Sequence, residues 1–89
     1  MHVFQFSIQN VETLKRRATA MVWVREKAVE IAEQQAREHL QSTGWVVEET
    51  QISLTPTVTE IRRFEPASRQ AHQTALASGI CALIVRRLG

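Results

Sequence analysis

Phe4, Phe6 and Ile8 alternate with Val3, Gln5 and Ser7 in the opening stretch HVFQFSI. That period of two predicts a strand over residues 2–8 with one face on a core. Asn10 to Arg17 is polar enough to be a connecting loop, and ATAMVWV, residues 18–24, is β-branched and aromatic enough for a second strand. Residues 2–24 are therefore expected to form a hairpin. From Arg25 to Thr43 the period lengthens, with Val29, Ala32, Ala36 and Leu40 at helical spacing and Ala28, Ile31 and Gln35 beside them. Glu30, Glu33, Arg37 and Glu38 take the outer side, and Glu33 with Arg37 forms a favourable i, i+4 pair. No capping residue marks the start of this helix. Its end is marked by Gly44, which accepts the left-handed conformation that other residues adopt at a cost. Trp45 follows at the helix–strand corner, where a lid over the last turn near Leu40 is favoured over a ligand platform.

WVVEETQISLT, residues 45–55, predicts a third strand. Strict alternation sets Val46, Thr50, Ile52 and Leu54 on one face and Trp45, Val47, Glu49, Gln51 and Ser53 on the other. Glu48 interrupts the first set, so a bulge is expected near Glu48–Glu49. Pro56 ends the ladder or places this strand at an edge. In residues 57–64 the β-branched content favours a further short strand over an extended loop. Residues 66–78 predict a second helix, with Pro66 at the first position and Gly79 just past the end. Its stripe is Ala67, Ala71, Ala75 and Ser78, with Leu76 beside it. ICALIVRR, residues 80–87, is apolar on both faces through Val85, the pattern of an interior strand.

The order ββαβ(β)αβ predicts a single α+β domain over residues 1–89. The expected architecture is a two-layer sandwich, a mostly antiparallel sheet of four to five strands with two helices on one face. A ferredoxin-like or related sandwich is the nearest architecture, although an opening hairpin departs from the usual βαββαβ order. At this length the core is modest, because a small chain buries a smaller share of its surface.

Candidate chemistry is sparse. His2, His39 and His72 fall at no ligand spacing, and the single Cys81 lies inside an apolar run, so neither a metal nor a cofactor is expected. Glu48 and Glu49 point to opposite faces of a strand and do not form a carboxylate pair. The three glycines stand apart, which leaves no phosphate loop, and the absence of aspartate removes a Ser–His–Asp triad. The chain is accordingly expected not to be an enzyme. No signal-peptide pattern opens it, and its longest apolar run, Ile80–Val85, is far short of the roughly 20 residues of a membrane span. A cytoplasmic protein with no membrane partner is expected.

Net charge is +2, too mild for a dedicated nucleic-acid binder. The arginines cluster nonetheless: Arg16 and Arg17, Arg62 and Arg63, and Arg86 and Arg87 could merge into an anion-binding rim for nucleic acid or another anionic partner. Solvated strand ends that resist aggregation are the favoured reading of these clusters. The sharper expectation concerns the sheet. If both helices cover one face, Met21 and Trp23 are left on the other with one alternate set of the last strand, either Ile80, Ala82 and Ile84 or Cys81, Leu83 and Val85, of which Leu83 and Val85 are taken for the interface. That patch predicts a non-catalytic interaction or accessory module, most simply a homodimer, with another protein as the alternative occupant.

Overall fold

The computed structural model describes residues 1–10 and 17–86. Strand β1 spans His2–Asn10 and β2 spans Arg17–Val24. Helix α1, Val29–Ser42, leads to β3, Trp45–Leu54. A short helix α2, Val58–Arg62, precedes α3, Pro66–Ser78, and β4, Ile80–Arg86, ends the described chain. The four strands make one antiparallel sheet in the order β3-β1-β2-β4. The loop expected at 10–17 and the end of the last strand at Arg87 lie largely outside the described residues.

The β1–β2 ladder sets two faces by simple alternation. Phe4, Phe6 and Ile8 pair with Val22, Ala20 and Ala18, so all six share a face. Helix α1 closes that face: Ala32, Ala36 and Leu40 are fully buried against it, and Trp45 packs there as the expected lid. Val3 pairs with Trp23 on the opposite face. There Ala71 and Ala75 of α3 form a second core with Val3 and Trp23, flanked by Met21, Cys81 and Leu83. The helices thus lie on opposite sides of the sheet, which corrects the expectation of two helices on one face. The element order also differs from that of a ferredoxin-like sandwich. The physical reason is that β2 carries large apolar groups on both faces, and each needs cover.

The helix ends follow local chemistry. Thr43 Oγ1 donates to the Leu40 carbonyl at 2.9 Å, and Gly44 follows at φ 90°. Gly79 ends α3 at φ 95°, its N–H donating to the Ala75 carbonyl. A side chain at either glycine would be strained by the backbone, because L residues rarely occupy that region. Helix α1 starts at Val29, a turn later than expected, and the Glu26 carboxylate accepts from the Lys27 and Ala28 amides just before it. Residues 58–62 are helical and not a strand. Thr57 caps α2, accepting from the Glu60 amide while the Glu60 carboxylate accepts from the Thr57 amide. Two satisfied orphan donors outweigh the weak strand preference of the β-branched residues.

Strand β3 pairs with β1 but slips twice, leaving Gln51 and Glu48 as extra residues. The slip at Glu48 is the expected bulge. It changes the facing: Thr50 pairs with Phe6 and joins Trp45 and Val47 on the α1 side, and the slip at Gln51 restores the original alternation from Ile52 onward. Val46, Glu49, Ile52 and Leu54 face the other way, opposite Gln9, Ser7, Gln5 and Val3. Helix α1 locks this arrangement. Arg37 Nη2 donates to Thr50 Oγ1 at 2.6 Å, and Thr50 Oγ1 donates to Glu33 Oε1 at 2.8 Å. Arg37 also lies over the Phe6 ring, 5.5 Å from its centroid.

Burial of Trp23 under α3 makes it a keystone. Trp23→Ala is expected to cost about 3–5 kcal/mol in urea denaturation. Trp23→Phe should cost less, since it also removes the buried indole N–H, which has no hydrogen-bond partner. A loss under about 1 kcal/mol for Trp23→Ala would contradict a packed second core.

Candidate interaction edge

Two strands border the sheet, and they differ in how they are finished. Strand β3 carries Glu48 and Glu49, both exposed, bends at two bulges and runs into Pro56 two residues after its end. Each of these features discourages a foreign strand from pairing. Strand β4 has no bulge or proline among its described residues, and its one charge there is Arg86 at the end. It pairs with β2 in unbroken register from Val24↔Ile80 to Ala18↔Arg86, and residues 80–85 carry no charge and no proline.

Exposure along β4 is equally informative. Ile84 pairs with Ala20 and therefore stands on the α1 face, while Val85 pairs with Thr19 and stands on the α3 face. Ile84 is 37% exposed and Val85 59%. Neighbouring apolar residues thus reach solvent on opposite faces of one edge strand. On β3 the exposed apolar residues, Val46, Ile52 and Leu54, all share the face away from α1. Helix α1 packs on β3, β1 and β2, and α3 on β4 and β2.

The residues expected at an interface divide accordingly. Trp23 is fully buried and Met21 half-buried beneath α3, so the helix-free apolar face does not exist as a surface around them. Leu83 packs against the same core as a half-buried residue. Val85 remains open. Ile84 belongs to the alternate set of β4 not taken for the interface, and the apolar pattern of β4 is that of an interior strand. Its place at an edge follows from strand order, a long-range property that no local pattern encodes.

The arginines are only partly gathered. Arg17 and Arg86 come to one end of the sheet, since Arg86 pairs with Ala18. Arg17 reaches Glu48 at 3.8 Å, which offsets its charge. Arg62 and Arg63 sit on α2 and at its C-terminal end, both exposed, and the sheet register does not join them to Arg17. Arg16 and Arg87 lie outside the described residues.

An open cleft of about 510 Å³ lies between α1 and the α3–β4 junction, lined by Arg25, Glu26, Gln35, Glu38 and His39 among others. Its charged groups already serve the fold. Arg25 donates through Nη1 to the Leu76 carbonyl at 2.6 Å, a cation at the C-terminal end of α3, and its backbone N–H donates to Gly79. Glu26 accepts from amides ahead of α1, and Glu38 accepts from Gln34 at 3.1 Å. His2 is likewise engaged, bridging the Lys27 carbonyl and Thr55 Oγ1. Among the described residues no group of three or more His, Cys, Asp or Glu could hold a metal ion. None of their helices is long and apolar enough to cross a membrane.

Burial pushes the Cys81 thiol above its ordinary range by disfavouring the thiolate. Folding therefore holds this proton more tightly. The contribution is fully present below the unfolded thiol's pKa and is lost as pH rises through the raised value. Alkylation of Cys81 at neutral pH should be slower in the native protein than in the urea-unfolded chain. Equal rates would contradict the burial. The chain matches no protein-family model, no curated protein and no solved structure.

Proposed function

We propose that the chain is a small non-catalytic interaction module that works by strand addition at the outer edge of β4. The observation that carries this reading is the paired exposure of Ile84 and Val85 on opposite faces of an unprotected edge strand. A helix or loop docking on one face would cover one of them. A neighbouring strand covers both, because its own side chains flank the edge above and below while its backbone completes the ladder. The contrast with β3 supports the same reading, since one edge is bulged and charged and the other is flat and apolar. This reading ranks above an anionic partner, because the register brings Arg17 and Arg86 to one end of the sheet but does not join Arg62 and Arg63 to them, and Arg17 lies 3.8 Å from Glu48.

A soluble-tagged peptide with the sequence of residues 80–86, carrying Cys81→Ser, is the direct probe. Titrated into dilute ¹⁵N-labelled protein, it should move the amide resonances of β4 and leave those of β3 in place. The double variant Ile84→Lys/Val85→Lys should fold normally, because both residues are exposed, and bind at least about tenfold more weakly, roughly 1.4 kcal/mol. Shifts confined to β3, or no shifts at millimolar peptide, would overturn the reading.

A further inference from the structure

We infer that the occupant of the β4 edge is the β4 edge of a second copy, joined antiparallel about a two-fold axis. This inference rests on the strand-addition reading and names its partner. Residues 80–85 are uncharged and apolar, so the matching strand must be uncharged and apolar as well. Of the two edges the sheet offers, β3 fails that test through Glu48, Glu49 and two bulges, and β4 passes it. A strand that pairs with itself antiparallel is self-complementary by symmetry, and the contact closes at two copies. Antiparallel pairing also sets the two Arg86 positions at opposite ends of the joint, where like charges do not meet.

The sequence of β4 gains a reason in this assembly. Apolar residues on both faces are the mark of a strand with neighbours on either side. Among the described residues β4 has a strand neighbour only at β2. Joined across the axis, four strands from each copy form one eight-stranded sheet in which β4 is central. Ile84 and Val85 then gain cover on their respective faces from the partner's strand. The protected β3 strands become the two outer edges of the assembly, and growth stops there.

Sedimentation equilibrium over a range of concentrations tests this. The wild type should pass from monomer to dimer without higher species. Ile84→Lys/Val85→Lys should weaken dimerisation at least about tenfold. Val46→Lys, on the opposite edge, should leave it unchanged. Unchanged thermal unfolding of the dilute variants shows that they remain folded. A wild type that stays monomeric while β4 still takes up the strand peptide would remove the second copy and leave strand addition standing. A monomer that takes up no peptide would remove both. A dimer insensitive to the β4 variant but broken by Val46→Lys would place the joint at the wrong edge and overturn the inference.

Discussion

Trp23 is the largest side chain in the protein that is wholly withdrawn from water, and it stands on the face of β2 that α1 cannot reach. Burying an indole of this size favours folding by more than any other single residue here, but only if a second element closes over it. Helix α3 does so with Ala71 and Ala75, whose small side chains let the helix approach the strand closely. The remaining architecture follows. Once α3 lies over β2 on that side, the one-residue turn at Gly79 delivers β4 alongside β2. Phe4, Phe6 and Ile8 are left to α1 on the other side.

The same arrangement creates the imbalance at the two edges. Each helix is offset from the middle of the sheet, α1 over β3, β1 and β2 and α3 over β4 and β2. The outer side of β3 is finished by charge, bulges and a proline, features that oppose pairing with another chain. Along β4, residues 80–85 carry no charge and no proline, and the pairing with β2 has no bulge. An edge left in that state is a hazard unless it has a partner, because its free amides and carbonyls are a template for any extended chain. The proposed strand addition is the arrangement that turns this hazard into an interface.

Much of the fold could be read from local pattern. The helix ends at Gly44 and Gly79, the lid at Trp45, the Glu33–Arg37 pair and the bulge at Glu48 each rest on a signal within a few residues of the feature itself. Residues 58–62 carried a legible signal too, the Thr57…Glu60 capping box, which outweighs β-branched content over so short a span. The second slip of β3, at Gln51, has no such signal; together with the bulge at Glu48 it confines the altered facing to Glu49 and Thr50. Which face each helix covers, and which strands lie at the edges, depend on the chirality and length of connections and on long-range pairing. Periodicity shows that Trp23 and Val22 face opposite ways; it does not show which element lies over each. For that reason the apolar pattern of β4 is legible while its position is not, and the proposed interaction surface is the edge at Ile84 and Val85 in place of the face around Met21 and Trp23.

The central claim is that β4 has the outer neighbour its sequence is built for. Amide hydrogen exchange, resolved by residue and followed as a function of protein concentration, addresses it most directly. A ladder hydrogen-bonds alternate amides of β4 inward to β2 and leaves the others facing out. The account predicts that the outward amides of residues 80–86 become protected as concentration rises, while those of β3 exchange at a constant rate. Outward β4 amides that exchange freely at every concentration, with the inward ones protected throughout, would mean that this edge has no partner strand and would contradict the account.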